Sequence, residues 1–115
     1  MPPRSPDPLT PAVLHVLMAL AGEERHGYAI AQEVETVTEG RVRMGPGTLY
    51  GTIQRLLASG WVAPAARAPR DADERRRYYR LTAAGRRALD AELARLDTVV
   101  EYARSRNLLQ PPELA

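Results

Sequence analysis

GPGTLYGTIQRLLASG, residues 45–60, is the stretch that decides the fold. Its larger apolar residues recur at helical spacing and are Leu49, Ile53, Leu56 and Leu57. A proline in the first turn and a glycine just past the last turn, Pro46 and Gly60, are typical helix boundaries. The segment therefore predicts an amphipathic helix that buries one apolar face.

The outward face of this helix is small and polar. With about 100 degrees between successive residues, it carries Gly47, Thr48, Gly51, Gln54, Arg55 and Ala58, with Tyr50 and Thr52 on its flanks. Glycines let a helix backbone approach another surface closely, and free amides at a helix start attract phosphate. Gln54 and Arg55 suit the edges of adenine and guanine. This face predicts a helix that reads the major groove of DNA. The alternative is a face that only contacts solvent, on a helix that its glycines destabilise.

Two helices are predicted before this segment. The first, residues 11–21, begins with a threonine cap and a proline and has almost no polar face, so we expect it at the centre of the fold. A polar turn at residues 22–25 leads to an amphipathic second helix that ends near residue 40. Residues 41–44 are expected to form a short strand.

A β-hairpin is predicted after the third helix. Residues 61–66 and 76–81 read as short strands, and residues 67–75 form a charged loop between them. Arginines at a hairpin tip can reach the DNA backbone beside a reading helix, and we expect Arg75 and Arg76 to do so. A solvated loop is the alternative, because the same tip also carries acidic residues.

A last helix begins at Thr82, whose hydroxyl can cap it. Its apolar residues alternate steps of four and three and are Leu89, Leu93, Leu96, Val100 and Ala103. A mean spacing of about 3.5 residues is typical of a helix that packs along a partner helix. These positions are therefore predicted to form the seam of a homodimer.

The predicted fold class is mainly α with a small β-hairpin, a winged helix-turn-helix followed by a C-terminal dimerisation helix. The corresponding division of the chain is a flexible N-terminal arm over residues 1–8, a DNA-binding domain over residues 9–81, a dimerisation helix over residues 82–106 and a tail over residues 107–115. The arm and the tail are rich in proline, which disfavours both helix and strand.

Composition excludes several other classes of protein. The 115 residues contain no cysteine, which removes disulfides, zinc fingers and thiol nucleophiles. No nucleophile motif, phosphate loop or dinucleotide fingerprint is present, so neither an enzyme nor a cofactor is expected. His15 and His26 are too far apart for a helical metal pair, and a core or capping role is predicted for them. A stretch of apolar residues long enough for a signal or a membrane span is absent, which predicts a cytoplasmic protein.

Four segments, in this order, resemble the PadR-like transcriptional regulators. They are PAVLHVLMALAGEERHGYAIAQEVE (11–35), MGPGTLYGTIQRL (44–56), SGWV (59–62) and DERRRYYRLTAAGRRAL (73–89). The resemblance extends from Leu9 to about Arg106. The most specific short motifs are HGY at 26–28, GTLY at 47–50 and RRYYRLT at 76–82.

The resemblance implies a repressor that binds an inverted repeat of DNA as a homodimer, with the GTLY helix as recognition helix. The single helix after the wing is similar to the short subclass, whose members pair through that helix. Family members are often released from DNA by small aromatic or lipophilic effectors. Some hold flat drugs between tryptophans near the dimer centre, whereas the final helix here offers Tyr102 and no tryptophan. Trp61 lies at the start of the wing hairpin, where core packing is expected.

A second class of function fits the same fold. A winged helix can bind another protein instead of DNA. Protein interfaces favour exposed aromatic residues, and the outward face of the third helix offers only Tyr50. The polar face with its spaced glycines therefore favours DNA.

Overall fold

A computed structural model describes residues 7–65 and 76–109 of the chain. Its elements are α1 (Pro11–Gly22), β1 (Arg25–His26), α2 (Gly27–Val37), α3 (Pro46–Ser59), β2 (Val62–Pro64), β3 (Tyr78–Leu81) and α4 (Ala83–Ser105). The predicted fold class is confirmed. Most of the N-terminal arm, the tip of the wing and the end of the tail lie outside the described residues.

The helices begin where their capping residues predict. The hydroxyl oxygen of Thr10 accepts a hydrogen bond from the Val13 amide at 3.2 Å, and that of Thr82 accepts one from the Gly85 amide at 3.0 Å. Each cap satisfies a backbone donor that the first helical turn leaves without a partner. Gly60 ends α3 in the left-handed conformation at φ +78°, which a residue without a side chain adopts without strain.

The core is built around α1, as its nearly continuous apolar sequence predicts. Val16 and Leu17 are fully buried, and α1 packs against α2, β3 and α4. Ala19 and Leu20 of α1 are buried as well, and the other helices and the sheet contribute further buried apolar residues: Ile30, Val34, Leu49, Ile53, Leu56, Val62, Tyr79 and Leu89. Trp61 packs against this cluster from its edge, as expected.

The three strands form one antiparallel sheet in the order β1-β3-β2. Arg25 pairs with Tyr79, and Val62 pairs with Leu81. Two predictions were wrong: residues 41–44 form no strand, and Arg25, the last residue of the predicted polar turn, begins β1. The position of the edge strand differs because β1 is held by a pairing with β3, more than 50 residues away, which a local pattern does not reveal.

Residues 41–44 stay out of the sheet because Thr38 already binds their backbone. Its carbonyl oxygen accepts from the Arg41 amide at 3.1 Å, and its hydroxyl oxygen accepts from the Val42 amide at 3.0 Å. The Val42 and Met44 side chains still pack against the core. This segment therefore closes the space between α2 and α3 as an irregular connection.

Glu92 is a buried carboxylate on α4. It binds the Arg95 guanidinium in a two-pronged contact at 2.9 and 2.8 Å, and it accepts from the Leu9 amide at 3.3 Å. The hydrogen bonds from Arg95 lower the pKa of Glu92 below its ordinary value, although burial opposes them. The interaction fastens the segment before α1 to the middle of α4.

The described helices are all too short or too polar to cross a membrane.

Candidate nucleic-acid interface

The inner face of α3 is the one that the sequence predicts. Leu49, Ile53 and Leu56 are each less than 5% exposed, and Leu57 is half-buried beside them. These contacts fix the rotation of the helix about its axis. The opposite face therefore points away from the body of the protein.

This opposite face of α3 forms a small polar surface, which we call the reading face. Its exposed or half-buried residues are Gly47, Thr48, Gly51, Gln54, Arg55 and Ala58. A Cβ atom added at Gly47 or Gly51 would meet no atom of a neighbouring element within 4 Å. The packing of the described residues therefore does not require glycine at either position, which is consistent with a requirement imposed by a partner.

Gly51→Ala is expected to stabilise the protein and to weaken its binding to DNA. Alanine is better than glycine in a helix interior by about 1 kcal/mol, but its methyl group would stand on the reading face. Urea denaturation and fluorescence anisotropy on a DNA duplex measure the two effects. Gly22→Ala is the matched control, because it also adds a methyl group in open space, at the end of α1. Equal DNA affinity for Gly51→Ala and wild type would contradict a close approach of α3 to DNA.

Thr52 holds Arg55 in place on the reading face. The Thr52 side chain, placed on the flank of the predicted helix, is in fact buried, with 1% exposure. Its hydroxyl donates to the Thr48 carbonyl oxygen at 2.8 Å and accepts from Nη2 of Arg55 at 3.3 Å. The guanidinium of Arg55 is thus oriented before any ligand binds. This role was not predicted from the sequence, although a threonine that bonds back to the previous helical turn is a known pattern.

The start of α3 is open toward an anion. Gly45 is the N-cap and provides no side-chain hydrogen bond to the first turn. The amides of Gly47 and Thr48 therefore keep their donor capacity at the positive end of the helix dipole. Such an end favours a phosphate group.

Tyr50 connects α3 to the start of α2. A Cβ atom at Gly27 would lie 2.8 Å from the Tyr50 hydroxyl oxygen, so the tyrosine ring covers the first residue of α2 closely. About half of the Tyr50 side chain remains exposed. The ring is packed within the protein, and its hydroxyl lies beside a surface cleft.

This cleft separates the start of α2 from the base of the wing and has a volume of about 340 Å³. It is lined by His26, Gly27, Tyr28, Tyr50, Arg76, Arg77 and Tyr79. Arg76 is exposed and its Nη1 lies 2.8 Å from Nε2 of His26. Arg75, the other predicted wing contact, lies outside the described residues. Arg76 is thus at the base of the wing, next to the helix-turn-helix.

The predicted seam on α4 divides into two parts. Leu89 is 2% exposed and belongs to the core of its own subunit, so its assignment to the seam was wrong. Beyond Glu92 no residue of α4 is buried. Leu93, Leu96, Val100 and Ala103 are exposed or half-buried along one side of this part of the helix, which we call the α4 seam.

Together, the helices, the hairpin and the exposed polar α3 define a winged helix-turn-helix protein. The chain belongs to the PadR-like family of transcriptional regulators, because the model described as "Transcriptional regulator PadR-like family" matches residues 14–91. It is therefore a transcriptional regulator from a family of DNA-binding proteins that are not enzymes.

Two relatives support this membership. The transcriptional regulator Rv3488 of Mycobacterium tuberculosis is 40% identical over 85 residues, which cover 73% of this chain and 74% of the mycobacterial protein. An uncharacterized 37.1 kDa protein in transposon TN4556 of Streptomyces fradiae is 42% identical over 81 residues. These residues cover 70% of this chain and 21% of the Streptomyces protein, so the chain spans about a fifth of that relative.

Solved structures share the fold. A transcriptional regulator from Clostridium thermocellum has a TM-score of 0.65 at 21% identity, with 82% of this chain and 87% of that chain covered. A PadR family transcription regulator from Clostridium difficile has a TM-score of 0.65 at 17% identity, with 82% of this chain and 95% of that chain covered. RosR of H. salinarum has a TM-score of 0.60 at 25% identity, with 85% of this chain and 96% of that chain covered.

Proposed function

We propose that this regulator is a repressor that binds an inverted repeat of DNA as a homodimer. The observation that carries the proposal is the reading face of α3, which is exposed, polar and free of any packing need for its glycines. In a helix-turn-helix dimer the two recognition helices enter successive major grooves, roughly 34 Å apart. A protein bound across a promoter in this way blocks polymerase.

Each DNA contact is assigned from the position of its side chain. Gln54 and Arg55 contact base edges, since they are exposed on the reading face and offer bidentate hydrogen bonds. Gly47 and Gly51 allow the close approach, and the amide and hydroxyl of Thr48 face the DNA backbone at the start of α3. Tyr50 and the wing arginines Arg75 and Arg76 contact phosphates, which position the protein without reading sequence.

The α4 seam provides the dimer contact in this proposal. Leu93 is 38% exposed. It lies on the part of α4 beyond Glu92, where no residue of the helix is buried. A row of apolar side chains at this spacing along a free helix is typical of a two-helix interface. Val99, which is also exposed, borders this row of side chains.

The release by a small aromatic or lipophilic effector remains a prediction from the family resemblance. A groove of about 360 Å³ along α4 is the candidate place for such a compound. It is mostly apolar and is lined by Leu9, Trp61, Ala88, Ala91 and Glu92 among others. A compound bound there would touch both the α4 helix and the segment before α1.

Arg55→Ala and Arg76→Ala are expected to weaken DNA binding in different ways. Loss of a bidentate base contact costs about 1–3 kcal/mol at one base position, so Arg55→Ala should relax the preference there. Loss of a phosphate contact weakens binding to all sequences alike and reduces the slope of log affinity against log salt concentration by about one. We expect both effects for Arg76→Ala. The measurement is anisotropy on a fragment selected from genomic DNA and on single-base variants of it, at several salt concentrations.

The result that would contradict the assignment is an equal loss on every sequence for Arg55→Ala. A protein that selects no fragment from the whole genome would instead favour the alternative of a protein-binding winged helix.

A further inference from the structure

Thr52 is a polar residue on the buried side of α3. It is 1% exposed, and Glu92 is the other buried polar or charged residue among residues 7–65 and 76–109. Burying a hydroxyl group costs free energy unless the group forms hydrogen bonds. Glu92 joins α4 to the segment before α1, whereas both hydrogen-bond partners of Thr52 lie in α3 itself. The Thr52 hydroxyl therefore does not hold separate elements of the fold together.

The chemistry of the groups fixes the direction of both hydrogen bonds. A carbonyl oxygen only accepts, so the Thr52 hydroxyl donates its single hydrogen to the Thr48 carbonyl oxygen at 2.8 Å. A guanidinium only donates, so the hydroxyl oxygen accepts from Nη2 of Arg55 at 3.3 Å. Because its hydrogen is directed to Thr48, the hydroxyl presents only lone pairs to Arg55. In such a chain each hydrogen bond strengthens the next by polarisation.

Arg55 depends on this hydroxyl for its orientation. The Arg55 side chain is exposed, and none of the salt bridges in the described part of the chain includes it. An arginine side chain has many rotamers, and fixing one of them on binding costs affinity. Each Nη atom carries two hydrogens, so the bond to Thr52 leaves donors on both. The guanidinium is thus held while it can still donate two parallel hydrogen bonds to a guanine edge.

We propose that Thr52 is a positioning residue for base recognition: its hydroxyl orients Arg55 toward a guanine and so sets how strongly the protein prefers that base. The proposal rests on the proposed function, which assigns Arg55 a base contact. Thr52 itself contacts no base, because its side chain is buried. The charge of Arg55 does not depend on the hydroxyl, so attraction to DNA of any sequence does not depend on it either.

Thr52→Val removes the hydroxyl and keeps nearly the same side-chain shape. The Thr48 carbonyl oxygen retains the helical hydrogen bond from the amide of residue 52, so no buried group loses its only partner. We expect the preference for guanine at the position read by Arg55 to fall by about 2- to 10-fold, the effect of one side chain that is no longer held before binding. Affinity for a scrambled duplex and the midpoint of urea denaturation should not fall. Anisotropy on the selected duplex and its single-base variants measures the preference.

Thr52→Ser has the complementary effect. Serine keeps the hydroxyl but removes a methyl group from a buried position, so the urea midpoint should fall while the base preference stays. The two variants thereby separate stability from recognition. Thr98→Val is the matched control, because the Thr98 hydroxyl also donates to the carbonyl oxygen four residues earlier, that of Ala94 at 3.1 Å, but on α4. It should leave the base preference unchanged.

A double-mutant cycle shows whether Thr52 acts through Arg55. In the Arg55→Ala protein, which has no guanidinium to orient, Thr52→Val should cause no further loss of preference. An equal loss with and without Arg55 would overturn the positioning role, and so would wild-type preference in Thr52→Val. In both cases Arg55→Ala would still lose the base preference, and the proposed function would stand. Failure of wild type to select any DNA would overturn both.

Discussion

Gly85→Ala is expected to lower the free energy of unfolding by about 1–3 kcal/mol or more, the usual cost of forcing a methyl group into packed surroundings. A Cβ atom at Gly85 would collide with the carbonyl oxygen of Trp61, and it would lie 2.8 Å from Cδ1 of Leu81. The first obstacle is backbone, so a change of side-chain rotamer cannot remove it. The start of α4 would have to move away from the end of α3.

That movement would break further interactions. The Thr82 hydroxyl donates to the Gly60 carbonyl oxygen at 2.6 Å, and the Thr82 amide donates to the Trp61 carbonyl oxygen at 3.1 Å. Both hydrogen bonds join the N-cap of α4 to the two residues that connect α3 with β2. The free energy of unfolding of Gly85→Ala can be measured by urea denaturation beside Gly22→Ala, which adds its methyl group in open space. An unchanged midpoint for Gly85→Ala would show that α4 does not approach Trp61 this closely.

Leu93→Asp is expected to separate the homodimer and to weaken DNA binding by a factor of about 10²–10⁴, the range in which a second linked contact raises avidity. Leu93 is partly exposed in the single chain, so a charge there costs the subunit fold little. In a dimer through the α4 seam, the same charge would be buried on both sides of the interface. Light scattering and anisotropy on a selected duplex measure the two effects.

Thr98→Asp is the matched control for Leu93→Asp. It adds the same charge to an exposed residue of the same helix, on the side opposite to the α4 seam. We expect it to leave the mass in solution and the DNA affinity unchanged. If Leu93→Asp remained a dimer, the seam would be elsewhere on the protein.

The order of the helices could be predicted from the sequence because each helix carries its own local signals. Thr10 and Thr82 mark helix starts, and the apolar spacing of α3 fixes which of its faces is buried. The reading face follows directly from that spacing, so Gln54 and Arg55 could be placed before the structure was known. Local chemistry was sufficient for these elements.

The features that the sequence did not reveal depend on contacts between distant residues. The pairing of β1 with β3 and the approach of Arg76 to His26 join residues about 50 positions apart. Leu89 continues the spacing of the α4 seam without interruption, yet it lies in the core, because α1 covers the first half of α4. Periodicity describes which face of a helix is apolar, but it does not distinguish a partner in the same chain from a partner in another.

The most direct test of sequence-selective DNA binding is an anisotropy titration of wild-type protein on a duplex selected from genomic DNA and on a scrambled duplex, each at two salt concentrations. We expect tight binding to the selected duplex at two chains per duplex, weaker binding to the scrambled one, and loss of affinity on both as salt rises. Equal affinity for the two duplexes, or one chain bound per selected duplex, would contradict sequence-selective binding by a dimer.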